Sequence, residues 1–306
     1  MAETEHVPVL ADEVIEYLAP QAGGIYVDCT FGGGGHSRRI AEAMGRGRLI
    51  AFDKDPETLA HAAEAVQAPA AVAFEAVAAD FAEAPERLRE RGVEQVDGVV
   101  ADLGVSSMQL GRPEREFSFT AGPLDMRMDP RQALTAEQVV NQFDERELAD
   151  LIFQFGEERR SRRIARAIVR SRPLHGTAEL AALVAAVNRP MNRRRGLHPA
   201  TRTFQALRIY VNSELQSLAG LLAALPGWLR PKGRAVILSF HSLEDRPVKH
   251  TFRSGAQAGV YRLLTPRAVR PAEAEMARNP RSRSARLRAV ERMAEGGHGV
   301  LLPATN

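Results

Sequence analysis

Apolar positions along this chain follow two alternating rhythms. Short, nearly unbroken apolar runs at Tyr26–Thr30, Leu49–Phe52, Val72–Ala76 and Val96–Ala101 read as strands buried on both faces. Between them, His36–Met44, Glu57–Val66 and Pro85–Arg91 read as helices. Ile40, Ala41 and Met44 share one face, and Pro85 sits in a first turn. Strands separated by helices of about ten residues predict a parallel, doubly wound, Rossmann-like α/β sheet.

After Asp102-Leu103-Gly104-Val105-Ser106-Ser107 the strand signal stops. A loop runs through Pro130, and the signals that follow are helical only. Thr135 with Gln138 and Asp144 with Glu147 have the spacing of capping boxes. Gly156 suits a helix end, and Thr177 opens a helix over Ala178–Val187. Residues 108–200 therefore read as an all-α insertion, with 1–107 and 201–306 forming one discontinuous sheet domain. Phe204, Leu207, Val211, Leu215, Leu218, Leu222 and Leu225 predict a single long amphipathic helix. Pro231-Lys232-Gly233 then turns into a strand over Arg234–Phe240, ending at His241. Short strands near Tyr261–Leu264 and Ala285–Val290 complete the sheet, with Asn279–Ser284 as a mobile loop.

Composition narrows the class. A length of 306 residues suits about two domains, and no apolar run is long enough for a membrane span. The amino terminus, Met-Ala-Glu-Thr-Glu-His, lacks the basic and then apolar regions of a secretory signal. Cys29 is the single cysteine, so neither an intrachain disulfide nor a cysteine metal cluster can form. A cytoplasmic location is expected. The net charge of +3 hides strong clustering: seven arginines in Glu157–Arg172, five in Arg189–Arg202 and six in Arg278–Arg292. Solvated helix faces would explain any one cluster. Three together favour a phosphate-rich partner, because guanidinium grips phosphate bidentately.

The candidate chemistry gathers at Val-Asp-Cys-Thr-Phe-Gly-Gly-Gly-Gly-His, residues 27–36, and at Asp53 after the second strand. A glycine turn followed by a strand-end acid is how an α/β sheet holds a nucleoside cofactor, the acid accepting ribose hydroxyls. For a nicotinamide dinucleotide, Gly33 and Gly35 match the first two places of Gly-x-Gly-x-x-Gly, but Arg38 occupies the third, where close helix packing needs glycine. Asp28 before the glycines is instead similar to the arrangement in S-adenosylmethionine-dependent methyltransferases. Each residue also has a plainer reading. Asp53 caps the helix beginning near Pro56, His36 caps or lies at the surface, Phe81 packs in the core, and Cys29 is a small buried residue. Asp102 closes an apolar strand and faces the crevice at the strands' carboxyl ends.

Eight ordered motifs spanning essentially the whole chain resemble the RsmH/MraW family of bacterial small-subunit ribosomal RNA cytosine-N4 methyltransferases. They are residues 27–36, Asp-Leu-Gly-Val-Ser-Ser-Met-Gln-Leu (102–110), Phe-Ser-Phe (117–119) and Gly-Pro-Leu-Asp-Met-Arg-Met-Asp-Pro (122–130). Phe155–Arg159, His198–Arg208, Ser239–Asp245 and Asn279–Ser284 complete the set.

The resemblance implies a methyltransferase sheet with an inserted helical domain, S-adenosyl-L-methionine as cofactor, and 16S ribosomal RNA or the small subunit as partner. It places cofactor contacts on Gly34, Gly35, His36, Asp53, Phe81, Asp102 and Gln109. Relatives often carry a basic residue where this chain has Gly33. The implied reaction is in-line displacement by the amine of a P-site cytosine, with S-adenosylhomocysteine leaving and Asp102 as the candidate catalytic residue. Asp102-Leu103-Gly104-Val105 lacks the prolines and aromatic ring that follow this acid in many amino-methyltransferases. His241, with Ser239, Ser242 and Asp245, either contacts the base or caps the helix near Asp245. Thr201, Gln205, Arg208 and Asn212 form a polar stripe that suits either RNA or solvent, and Arg208 and Asn212 are the candidate substrate contacts in it. Two rival functions are a nicotinamide-dependent oxidoreductase, which Arg38 disfavours, and an RNA-binding assembly factor that holds the cofactor without turnover.

Overall fold

The computed structural model describes residues 8–103, 122–188 and 198–294. The chain divides into two compact units, 1–104 with 217–306, and 105–216.

The first unit is built on a seven-stranded sheet in the order β3-β2-β1-β4-β5-β7-β6. Its strands are β1 (Ile25–Asp28), β2 (Gly47–Asp53), β3 (Val72–Ala78), β4 (Val96–Asp102), β5 (Leu229–Ser239), β6 (Tyr261–Leu263) and β7 (Arg286–Arg292). β1 to β5 are mutually parallel, and β7 runs antiparallel to both β5 and β6. The sheet is therefore mixed rather than wholly parallel. Its central strands are continuously apolar because both faces are covered. Val27, Ile50, Phe52, Val99, Ala101 and Ile237 enter one core, and Tyr26, Leu49, Ala51, Val100, Val236 and Leu238 enter the other. On the second face lie α1 (Ala11–Leu18) and α2 (Gly35–Met44), which contribute Val14, Leu18, Ile40 and Met44.

The helix expected over Glu57–Val66 is two short ones, α3 (Pro56–Leu59) and α4 (Ala62–Val66). The Asp55 side chain caps α3 by accepting from Glu57 N at 2.9 Å, so that task does not fall to Asp53. α5 (Ala84–Arg89) precedes β4. β5 begins before the expected turn and carries it as a bulge. Val96 pairs with Leu229 and Gly98 with Arg234, and Lys232 adopts φ 68°. Asn279–Ser284, expected as a mobile loop, forms a 3-10 turn over Pro280–Ser284 with Ser282 wholly buried and its Oγ donating to Asn279 O at 2.8 Å.

The second unit is helical among its described residues: α6 (Ala136–Gln142), α7 (Glu145–Gly156), α8 (Ser161–Arg170), α9 (Thr177–Val187) and α10 (Thr201–Asn212). Both capping boxes form, Thr135 with Gln138 and Asp144 with Glu147. Gly156 is the last residue of α7, but Glu157 takes the left-handed conformation. Glycine is needed at 156 for contact, since a Cβ there would lie 2.5 Å from Arg202 O of α10. That close packing keeps α10 with the helical unit, so the chain returns to the sheet at 217 rather than 201.

The long helix expected over Phe204–Leu225 is broken at Ser213 (φ 52°) into α10 and α11 (Glu214–Trp228). Arg208 clamps the break through Nε and Nη2 bonds to Glu214, both 2.8 Å. From Ser217 onward α11 belongs to the sheet unit, where Leu218, Leu221, Leu222, Leu225 and Trp228 cover the first face. α12 (Ser242–Gln257) and α13 (Glu273–Arg278) complete that unit. Among the described residues no helix is long and apolar enough to cross a membrane.

Candidate active site

Strand order reverses between β1 and β4, and in open α/β sheets ligands bind at the carboxyl ends of the strands beside such a reversal. There β1 ends at Asp28, which is buried. Its Oδ1 accepts Thr30 N at 3.0 Å and its Oδ2 accepts Ser37 Oγ at 2.7 Å. Burial raises its pKa, against the pull of the Ser37 hydroxyl. Asp28 thus ties the strand end to the first turn of α2, work internal to the glycine turn.

The turn closes with Gly34 N donating to Phe31 O at 2.8 Å. Gly34 has φ 75°, and a Cβ there would sit 2.8 Å from Phe31 Cζ, so glycine is required by both conformation and space. Gly35 lies under Pro8, three of whose atoms would be 3.1 Å from an added Cβ. Cys29 is buried, which pushes its thiol pKa well up, as an inert core residue requires.

At the end of β2, Asp53 Oδ2 accepts Gly32 N and Oδ1 accepts Asp55 N, both at 2.9 Å. Desolvation pushes its pKa up to about 6. At the end of β3, Asp80 Oδ1 accepts Ala82 N at 2.9 Å and caps the 3-10 turn Phe81–Glu83. Phe81, the first residue of that turn, is half-buried and packs against the core. At the end of β4, Asp102 N donates to Thr30 Oγ1 at 2.6 Å, joining β4 to the glycine turn. Asp102 Oδ2 lies 3.5 Å from His36 Nε2. His36 is 6% exposed, and neither ring nitrogen has a hydrogen-bond partner among the described residues. Gly34, Gly35, His36, Asp53, Phe81 and Asp102 therefore all stand on this row of strand ends and turns. Gln109 lies outside the described residues.

The neighbouring end of β5 carries His241, whose backbone is the N-cap of α12 and whose side chain makes no capping bond. Buried Glu244 does the local fixing instead. Its Oε2 accepts Phe240 N at 2.7 Å, and its Oε1 lies 2.9 Å from His241 Nε2. Asp245 is held by Arg288 (2.7 Å) and Arg286 (2.9 Å). Burial pushes its carboxyl up, but the bonds and charges of these two arginines outweigh it and hold the pKa below the usual range.

Two of the candidate substrate contacts are engaged in bonds within the fold. Asn212 is 0% exposed, with Oδ1 accepting Met128 N at 2.6 Å and Nδ2 donating to Met126 O at 2.7 Å. Arg208 is committed to Glu214 across the Ser213 break. The polar stripe on α10 is in this respect the inner fastening of the helical unit. The C-terminal arginine cluster is likewise partly consumed within the fold by Asp245. On α8 the burial of Ile164, Ala165 and Ile168 leaves Arg162, Arg163, Arg166 and Arg170 exposed. Sequence reading missed Lys54, whose ammonium joins Asp80 and Ser217 beside Asp53 and Phe81. Partners so far apart in sequence leave no local signal.

Comparison with known proteins adds a family to this geometry. A protein from Koribacter versatilis (strain Ellin345), named Ribosomal RNA small subunit methyltransferase H, is 54% identical over 296 residues, covering 94% of each chain. One of the same name from Acidobacterium capsulatum is 53% identical over 300 residues, covering 95% of this chain and 100% of that one. A solved rRNA methylase from Streptococcus thermophilus overlays 93% of this chain and 94% of its own, at 11% identity and a TM-score of 0.43; so loose a likeness carries no argument. Residues 3–293 match the MraW methylase family, and with relatives this close over nearly the full length, the chain belongs to that family.

Proposed function

We propose that the chain transfers a methyl group from S-adenosylmethionine to the N4 exocyclic amine of a P-site cytosine in 16S ribosomal RNA. The observation that carries this reading is the strand-end row at the β1–β4 reversal: a left-handed glycine turn, Asp53, and Asp102 beside His36. The residues present suit such a cofactor. Each Asp53 oxygen accepts one backbone N–H and keeps a lone pair for a ribose hydroxyl. The half-buried Phe81 ring suits the adenine, and Gly34, Gly35 and His36 line the cofactor at the start of α2. When bound, S-adenosylmethionine supplies an electrophilic methyl group on a sulfonium sulfur.

Asp102 accepts a hydrogen bond from the target amine, whose lone pair is delocalised into the ring and becomes available as the nitrogen pyramidalises. His36 stands beside that carboxylate, 3.5 Å away. His241, fixed by Glu244, contacts the flipped base from the neighbouring strand end. The names of the close relatives support ribosomal RNA as substrate, and the exposed arginines of α8 suit its phosphates. Incubation with labelled methyl donor and either small subunits or free 16S RNA tests the reading. Label should enter the RNA; cofactor binding without any label would instead fit an assembly factor.

Asp53 gives the cofactor site a pH dependence. Ribose donors stabilise the ionised carboxylate, so binding is complete above its pKa of about 6 and weakens as protonation competes. Affinity for S-adenosylhomocysteine should fall about tenfold between pH 7.5 and pH 5. Asp53→Asn should bind weakly at every pH with that slope removed. A wild-type affinity flat over this range in calorimetry would count against the ribose contact.

Attack by nitrogen needs no cysteine nucleophile. Cys29→Ala should keep wild-type turnover within about threefold, its cost falling on packing instead. Loss of turnover with cofactor binding intact would contradict a direct displacement.

A further inference from the structure

Lys54 follows Asp53 at the end of β2, and Asp80 precedes Phe81 after β3. Their side chains meet, with Nζ 2.7 Å from Oδ2, and both are drawn out of water, at 11% and 21% exposure. Ser217 of α11, 4% exposed, completes the group. Its Oγ accepts from Lys54 Nζ at 3.2 Å and donates to Asp80 Oδ2. The other oxygen of Asp80 caps the turn that carries Phe81. One carboxylate therefore fixes three things together: the residue after Asp53, the Phe81 turn, and α11.

Stability alone is a poor reason for such a group. Withdrawing a lysine and an aspartate from water carries a desolvation cost that their attraction must first offset, and well-packed apolar side chains often do as well. What the charged group supplies is a single arrangement. The planar carboxylate accepts Lys54 and Ser217 on one oxygen and Ala82 N on the other, so the turn cannot shift without breaking several charged bonds. Its Oδ2 is taken up by Lys54 and Ser217, which gives Asp80 a holding role.

We propose that Lys54, Asp80 and Ser217 form a positioning lock that sets the Phe81 ring at a fixed place relative to Asp53, and so sets the affinity for the adenosine half of the cofactor. This rests on the reading of Asp53 and Phe81 as cofactor contacts. The lock acts on binding and leaves the methyl-transfer step untouched.

The test is a mutant cycle read by calorimetry with S-adenosylhomocysteine and with 5′-methylthioadenosine, which lacks the amino-acid part. Lys54→Met should weaken both ligands by about tenfold, with kcat at saturation within about twofold. Ser217→Ala should weaken both by roughly threefold. In a Phe81→Ala background, neither change should weaken binding further, because the ring they place is gone. Wild-type affinities in both single variants would overturn the lock, and so would losses that multiply with that of Phe81→Ala. Should Lys54→Met fail to fold, Ser217→Ala with Phe81→Ala carries the same cycle. A wild-type chain that binds neither ligand would instead overturn the cofactor reading itself.

Discussion

Asp102→Asn should lower kcat by about a thousandfold while shifting the affinity for S-adenosylhomocysteine by no more than a few-fold. The substitution keeps the size of the side chain, and the anchor of this strand end is the backbone N–H to Thr30 Oγ1, which it does not touch. What it removes is the negative charge facing the amine. A delocalised amine gains positive charge as its lone pair is committed, and a partly buried carboxylate stabilises that charge far more than an amide does. The same substitution also leaves His36, at 3.5 Å, facing a neutral group. Single-turnover kinetics beside equilibrium binding would separate the two effects. Undiminished turnover with bound cofactor would remove Asp102 from catalysis.

Gly34→Ala should both destabilise the sheet unit and weaken the cofactor site. The left-handed conformation costs a non-glycine residue roughly 1–2 kcal/mol. The added carbon would also press on Phe31 at 2.8 Å. Phe31 cannot retreat easily, since it is buried, its N–H is bonded to Phe52 O, and its ring packs near Phe74. A total of about 3 kcal/mol corresponds to a thermal midpoint lowered by roughly 6–12 °C. Because the same turn feeds Gly32 N to Asp53, S-adenosylhomocysteine should bind at least about thirtyfold more weakly and give little thermal protection. A variant that melts and binds like the parent would show that the turn tolerates a side chain.

The parts of the molecule legible in the sequence are those specified by neighbours in sequence. Strands buried on both faces read as apolar runs, and the acids that close β2 and β4 mark the ends facing the crevice. Capping boxes at Thr135 and Asp144 are three-residue signals that formed as read. Features decided by distant partners left no such trace. Ser213 carries neither glycine nor proline, yet the helix breaks there, held by Arg208 with Glu214 and by Asn212 with the Met126–Met128 segment. A polar stripe at helical spacing could not reveal that Asn212 faces inward. The place of Asp28 before the glycines does not reveal that it bonds inward, to Thr30 N and Ser37 Oγ. The bonding of Lys54 to Ser217 spans 163 positions and is invisible until the sheet is assembled.

The charge pattern shows the same division. Clustering along the chain does not say which arginines meet solvent. In the C-terminal cluster Arg286 and Arg288 belong to Asp245, whereas the periodic apolar face of α8 turns its arginines outward. The helical pattern there decides accessibility, which composition alone cannot.

The most direct measurement is the position of the transferred methyl group. Small subunits lacking the modification would be incubated with the protein and deuterium-labelled S-adenosylmethionine, and the 16S RNA digested to nucleosides for fragmentation mass spectrometry. Label is expected on the exocyclic nitrogen of one cytidine, and should be lost in Asp102→Asn. Label on a ring carbon, or none in any nucleoside, would contradict methylation at that nitrogen.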